Sequence, residues 1–150
     1  MPKVVAASDA KWVRDQVKAA LVNPGFQVIE VARGQDVRRV VGETRPDLVV
    51  VDLQIANMGG MAVSIDLRLE ESGGRLPHVP VLLLLDREAD KFLARSAQAD
   101  AVLVKPFDPG TLRRVVKNLI AAEESRRAAE EAEEDEDDEV EAALPEPESA

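Results

Sequence analysis

Two carboxylates and one ammonium lie at the ends of three apolar runs in this 150-residue sequence. Asp9, Asp52 and Lys105 each follow a stretch whose residues are typical of a buried strand. If the three runs are neighbouring parallel strands, these side chains meet at the sheet edge where open α/β sheets bind ligands. Converging carboxylates repel each other unless a cation neutralises them, and Mg²⁺ favours oxygen ligands. The residue types therefore indicate a magnesium site beside a lysine, with phosphoryl transfer to a carboxylate as its chemistry.

Apolar patterns predict five strands that alternate with five helices. The strands are predicted at 4–8, 27–31, 48–51, 79–85 and 101–104. The helices are predicted at 11–22, 35–44, 61–71, 87–97 and from 109 onward, the last with Asp108 as its N-cap. Strand 48–51 is apolar throughout, so we expect it to be central and buried on both faces. Regular alternation of this kind predicts a parallel sheet with right-handed crossovers and helices on both faces.

The net charge of −10 is concentrated at the C-terminal end of the chain. Residues 1–122 hold 17 basic and 15 acidic side chains, whereas residues 123–150 hold 2 basic and 14 acidic ones. We predict one domain over 1–122 and an acidic tail over 123–150, which begins as a continuation of the last helix. The helix is expected to fray near Ala132, because seven consecutive acidic residues follow and their like charges repel at helical spacing. The segment 144–150 is expected to be disordered.

Composition excludes several classes of protein. The absence of cysteine rules out disulfides, thiol catalysis and thiolate metal sites. The nearly neutral domain lacks the clustered basic face that nucleic-acid binding requires. The longest apolar stretch, 79–85, is too short to cross a bilayer, and the first residues do not have the pattern of a secretion signal. We therefore expect a cytoplasmic protein that binds neither nucleic acid nor membranes.

Three separated motifs resemble the receiver domain of two-component response regulators, over about residues 3–121. The first strand ends in Ser8-Asp9, where that family has a pair of acidic residues. The sequence 48–60 resembles the phosphoacceptor strand with its following loop, and 99–107 resembles the fifth strand with its Lys-Pro-Phe signature. The resemblance implies a flavodoxin-like (βα)5 doubly wound parallel sheet with strand order 2-1-3-4-5. It also implies a cis bond between Lys105 and Pro106.

The same resemblance implies a role for each site residue. Asp52 would be the phosphoacceptor and a Mg²⁺ ligand, Asp9 a direct Mg²⁺ ligand, and Gln54 a ligand through its backbone carbonyl. Lys105 would face the phosphoryl group. The partner would be a histidine kinase or a phosphotransfer protein, which supplies the phosphoryl group. The protein would not be an enzyme, beyond assisting its own phosphorylation.

Three positions depart from the family pattern. Ser8 replaces the first acid, which usually holds the metal through water, so metal affinity is expected to fall. Leu85 replaces the Thr or Ser whose hydroxyl binds the phosphoryl group. Val102 replaces the aromatic residue whose inward rotation reports phosphorylation. Next to Leu85, Asp86 adds a carboxylate that could hinder an anionic donor, and Arg87 could offset its charge.

Two interpretations follow from this pattern. The first is a stand-alone response regulator, without an output domain, that is phosphorylated on Asp52 and acts by protein contact. The alternative is a phosphorylation-independent docking module that uses the face formed by the fourth helix, fifth strand and fifth helix. We expect a monomer or a weak dimer through that face. A flavodoxin-like nucleotide or flavin enzyme is disfavoured, because no phosphate-binding loop follows the first strand.

Overall fold

The computed structural model describes the backbone of residues 1–23 and 25–143, with side chains as far as residue 139. Five strands form one sheet, and their neighbours in it pair in parallel. The strands are β1 (Lys3–Ala7), β2 (Gln27–Val31), β3 (Leu48–Asp52), β4 (Val81–Leu85) and β5 (Ala101–Val104). Their order is β2-β1-β3-β4-β5. The predicted flavodoxin-like order is therefore confirmed, with β3 at the centre.

Five α-helices connect and follow the strands. They are α1 (Lys11–Val22), α2 (Val37–Thr44), α3 (Gly60–Ser72), α4 (Lys91–Ser96) and α5 (Pro109–Ala143). Short 3₁₀ turns at Gly34–Asp36 and Glu88–Asp90 precede α2 and α4. These two α-helices therefore begin later than predicted, because the tighter 3₁₀ geometry that is frequent at helix N-termini takes the place of their first turn. None of the described helices combines the length and the apolar character that crossing a membrane requires.

The strand β4 also begins later than predicted. The prediction started it at residue 79, but the ladder with β3 begins at Val81. Pro80 has no backbone N–H to donate to a ladder, although its carbonyl accepts a hydrogen bond from the Val49 N–H at 3.0 Å. The prediction for β3 was one residue short at the other end, since the strand runs through Asp52. The Asp52 side chain consequently projects from the last residue of the most central strand.

The core has two layers because successive strand residues point to opposite faces of the sheet. In β3, Val49 and Val51 pack on the side covered by α2, α3 and α4. Leu48 and Val50 pack on the other side, against α1 and α5. All four side chains are fully buried, which explains why this strand is apolar throughout. Packing of these two layers stabilises the sheet, and the order of its strands determines which side chains meet at its C-terminal edge.

The helix α5 is longer than predicted. Its start is confirmed, because the Thr111 N–H donates to Asp108 Oδ2 at 3.1 Å as an N-cap requires. The expectation that it frays near Ala132 is wrong, since it continues through Ala143. Ala and Glu are strong helix formers, and the acidic side chains of 133–139 are exposed to water, which weakens their repulsion. The expected disorder of 144–150 lies outside the described residues.

Candidate functional site

The candidate site lies at the C-terminal edge of the sheet, at the ends of β1, β3 and β5, with β4 between the last two. Asp52 is the last residue of β3 and its side chain is 3% exposed. Lys105 follows β5 directly, and its Nζ lies 2.8 Å from Asp52 Oδ1. Ser8 follows β1 and is also buried. The structure thus brings the predicted acceptor and the predicted lysine into direct contact, and it adds a serine to them.

Three donors orient the Asp52 carboxylate. Its Oδ1 accepts hydrogen bonds from Lys105 Nζ and from the Gln54 backbone N–H, at 2.8 and 3.1 Å. Its Oδ2 accepts from the Ser8 hydroxyl at 2.9 Å. The Ser8 oxygen in turn accepts from the Ala10 N–H at 3.1 Å, which fixes the hydroxyl at the start of α1. Both oxygens of the Asp52 carboxylate therefore accept hydrogen bonds.

The ammonium of Lys105 bridges two carboxylates. Besides Asp52, it lies 3.0 Å from Oδ1 of Asp86, whose side chain is 46% exposed. Burial alone would lower the pKa of Lys105, but the hydrogen bonds and charges of Asp52 and Asp86 outweigh that effect and raise it above its ordinary value. Lys105 is therefore positively charged at neutral pH. The bond between Lys105 and Pro106 is cis, as the resemblance implies.

Asp9 is placed differently from Asp52. It is exposed in the turn between β1 and α1, where Ala10 rather than Asp9 occupies the N-cap position. Within the described part of the chain, its carboxylate makes no hydrogen bond or ion pair. The carboxylate is thus accessible to a ligand that arrives from solvent.

The oxygen donors assigned to Mg²⁺ fit that ion chemically. Mg²⁺ binds through one or two carboxylates and retains several waters, so Asp9, Asp52 and the Gln54 carbonyl are a suitable donor set. The backbone of Gln54 is already adjacent, because its N–H donates to Asp52. Among the described residues, no group of three or more acidic or histidine side chains could hold a metal. This edge of the sheet therefore suits an ion that keeps some of its waters, and it does not provide enough side-chain ligands to surround an ion completely.

Two of the residues that depart from the family pattern, Leu85 and Val102, are apolar and lie in apolar surroundings. Leu85 is fully buried in the layer beneath α3 and α4, and Val102 packs against the same layer. Leu85 contributes its backbone to the site, because its carbonyl accepts from the Lys105 N–H at 2.7 Å. No hydroxyl at position 85 is available to bind a phosphoryl group.

The loop after β3 requires a glycine where it enters α3. A Cβ on Gly60 would lie 2.5 Å from the backbone oxygen of Asp52, closer than real Cβ atoms approach. The Gly60 N–H also donates to the Leu53 carbonyl at 3.1 Å, so the loop turns back toward the end of β3. The glycine is thus required for the close approach of α3 to the end of β3.

Two contacts at this edge differ from what the sequence indicated. The suggestion that Arg87 offsets Asp86 is wrong, because the Arg87 guanidinium pairs with Asp90 at 3.1 Å. The hydrogen bond from Ser8 to Asp52 was not predicted, because the resemblance relates position 8 only to a metal. The signal was present in the sequence: Ser8 follows β1 directly, as Asp52 ends β3, so neighbouring strands place them side by side.

Comparison with known proteins gives a consistent result. Residues 4–117 match the family model described as the response regulator receiver domain. The alkaline phosphatase synthesis transcriptional regulatory protein PhoP of Bacillus subtilis (strain 168) is 27% identical over 124 residues, which cover 81% of this chain and 50% of PhoP. The chain spans about half the length of the curated relatives it matches.

Solved structures match the fold over most of their length. The chemotaxis response regulator CheY4 of Vibrio cholerae has a TM-score of 0.71 and 25% identity, covering 79% of this chain and 98% of CheY4. The signal receiver domain of a histidine kinase from Syntrophus aciditrophicus has a TM-score of 0.72 and 26% identity, covering 81% of this chain and 92% of that one. Both are similar to this chain in fold and in sequence.

Proposed function

Because this chain belongs to the family of response regulator receiver domains, we propose that it accepts a phosphoryl group on Asp52 and acts by contact with another protein. Receiver domains are signalling modules rather than classical enzymes, and they interact with histidine kinases or phosphotransfer proteins. The donor we propose is the phosphohistidine of such a protein. The observation that supports this most is the buried Asp52 carboxylate, 2.8 Å from the Lys105 ammonium.

The proposed step is a displacement at phosphorus. A carboxylate oxygen of Asp52 attacks the phosphorus, the P–O bond forms, and the P–N bond to the donor imidazole breaks. The donor imidazole, which carries a proton on its other ring nitrogen, leaves as the neutral base, and Asp52 becomes an acyl phosphate. The transferring group carries its charge on three oxygens, so a fixed ammonium at Lys105 stabilises the transition state by position and charge alone.

Magnesium is the cofactor we propose for this site. Bound by Asp9, Asp52 and the Gln54 carbonyl, the ion would neutralise charge on the phosphoryl oxygens. We expect weaker binding than at a site with three carboxylates, because Ser8 supplies a hydroxyl where the family has an acid. We propose that this phosphoryl transfer takes place in the cytoplasm, in keeping with the absence of cysteine from the sequence.

A second candidate function rests on Leu85 and Val102. Both side chains pack in the apolar layer beneath α4, where the family has a hydroxyl and an aromatic ring that relay phosphorylation. A receiver without that relay would present its α4-β5-α5 face in one state. The chain would then be a docking module whose partner binds with or without phosphorylation.

Binding of beryllofluoride, which mimics a phosphoryl group, tests the proposal. We expect saturable, Mg²⁺-dependent shifts of the Gln54 amide in ¹⁵N NMR spectra, because that N–H contacts Asp52. The Asp52→Asn variant keeps the side-chain shape and should lose the response. The absence of binding at millimolar Mg²⁺ would overturn the proposal. Shifts that stay at the site and do not reach α4, β5 and α5 would favour the docking function.

A further inference from the structure

The ammonium group of Lys105 forms ion pairs with two carboxylates. Lys105 Nζ lies 2.8 Å from Asp52 Oδ1 and 3.0 Å from Asp86 Oδ1. The Lys105 side chain is only 8% exposed, so water contributes little to its solvation. A buried ammonium that is shared in this way offers less of its charge to any third anion.

No second cation balances Asp86 among the described residues. The adjacent Arg87 pairs with Asp90 at 3.1 Å. The nearby Lys91 pairs with Glu88 at 3.3 Å. Lys105 is thus the ion-pair partner of Asp86 in this part of the structure. Asp52, Asp86 and Lys105 together carry a net charge of −1, before an anionic donor arrives.

We propose that Asp86 competes with the phosphoryl group for Lys105 and thereby sets how tightly the site holds a phosphoryl anion. This inference rests on the proposed function, since it concerns the same site. A phosphoryl group on Asp52 draws the ammonium toward its own oxygens, while Asp86 holds the ammonium at the exposed side. Asp86 also repels the phosphoryl oxygens directly. Both effects weaken the phosphorylated state relative to the free one.

The charge of Asp86 can be removed without disturbing the core. Asp86 lies between β4 and the turn Glu88–Asp90 and is about half exposed, so Asp86→Asn should fold normally. The control is Glu88→Gln, which removes the same formal charge at a position two residues from Asp86. The Glu88 side chain is 78% exposed and pairs with Lys91 rather than with Lys105. The pair of variants separates competition for Lys105 from a general change of charge.

The measurement is the affinity for beryllofluoride at saturating Mg²⁺. We expect Asp86→Asn to bind beryllofluoride about three- to tenfold more tightly than the wild type. This is the effect expected for a carboxylate about 6 Å from the bound anion at a half-exposed site. Glu88→Gln should bind within about twofold of the wild type, and added salt should reduce the effect of Asp86→Asn. Equal effects of the two substitutions, or no effect of Asp86→Asn, would overturn the inference.

The proposed function and the inference fail in different ways. If no variant binds beryllofluoride, the proposed function fails and the competition fails with it. If the wild type binds and both substitutions leave the affinity unchanged, only the inference fails.

Discussion

At the residue scale, the hydroxyl of Ser8 holds one oxygen of the Asp52 carboxylate. It donates to Asp52 Oδ2, opposite the side held by Lys105. A carboxylate at position 8 would instead place a second negative charge beside a buried one, and only a cation could balance the two. Ser8 therefore completes the hydrogen bonding of the Asp52 carboxylate, and it supplies no acidic ligand to the proposed Mg²⁺ site.

The substitution Ser8→Asp should make the stability of the domain depend on Mg²⁺. Without the ion, two buried carboxylates repel and the midpoint of thermal unfolding should fall below that of the wild type. With millimolar Mg²⁺ the added ligand should tighten binding by about tenfold and restore much of the loss. Thermal melts with and without Mg²⁺, together with calorimetric titration, measure both effects. Ser8→Asn is the neutral control, and an equal Mg²⁺ response in that variant would contradict the explanation.

The sequence predicted which residues lie together at this edge better than it predicted their contacts. Asp52, Lys105 and Gln54 lie together as expected, because strand order and strand ends alone bring them to one edge. The contacts of Asp86 and Ser8 depend on side-chain geometry a few ångströms across, which residue order does not determine. Arg87 illustrates this limit, since its partner is three residues along the chain rather than next to it.

At the element scale, Glu123 of α5 lies at the centre of a group of polar contacts that reaches the loop before β4. This side chain is 7% exposed and receives hydrogen bonds from Arg126 and Arg127, at 2.7 and 3.0 Å. The Nε2 atom of His78, in the loop before β4, lies 3.4 Å from it. Arg127 also donates to the His78 backbone oxygen at 3.3 Å. Glu123 is the last buried residue of the described part of α5.

Replacing Glu123 should change the acid sensitivity of the fold. Burial would raise the pKa of Glu123, but Arg126, His78 and Arg127 outweigh it and lower the pKa below 4.5. Its stabilisation is therefore complete above about pH 5 and is lost as the pH falls through the folded-state pKa. Glu123→Gln should lose about 1–2 kcal/mol of unfolding free energy at pH 7.

Urea unfolding across pH 3 to 7 measures the acid effect. The gap between wild type and Glu123→Gln should shrink toward low pH, because protonation removes the same charge from the wild type. The exposed neighbour Glu124 provides a control, since Glu124→Gln should leave the pH profile unchanged. A gap of constant size would show that Glu123 acts by packing rather than by charge.

The elements themselves were largely predictable. All five strands and all five helices were expected, because apolar runs and stripes are local and β3 has no polar position before Asp52. The start of β4 shifted because of Pro80, and the starts of α2 and α4 shifted because of hydrogen bonds within a single turn. The end of α5 lies beyond the residue where fraying was expected, because the helix propensity of Ala and Glu opposes the charge repulsion there.

At the scale of the whole molecule, a nearly neutral domain carries a strongly acidic helical extension. The side chains of 124–139 are all exposed. Residues 133–150 contain 10 acidic and no basic side chains, so a chain that ends at Ala132 has 19 of each and no net charge. Residues 133–150 thus account for the entire net charge, and the described side chains among them, those of 133–139, are all exposed.

Truncation after Ala132 should leave the fold and the site intact. We expect the midpoint of thermal unfolding to change by no more than about 2 °C, because surface residues away from structural contacts have small effects on stability. Helical ellipticity should fall by the contribution of 133–143, and solubility near neutral pH should decrease, since net charge opposes association. Circular dichroism and solubility measurements test this. A clearly lower midpoint would mean that the extension packs on the domain.

Beyond Glu123, the side chains of α5 are exposed as far as residue 139, and this has a mechanical consequence. From Glu123 to Ala143 the helix extends about 30 Å, at 1.5 Å per residue. A change of about 10° in its tilt at Glu123 would therefore displace its far end by about 5 Å, a distance larger than most rearrangements within a packed core. The extension would convert a small angular change at the surface of the domain into a large displacement at its tip.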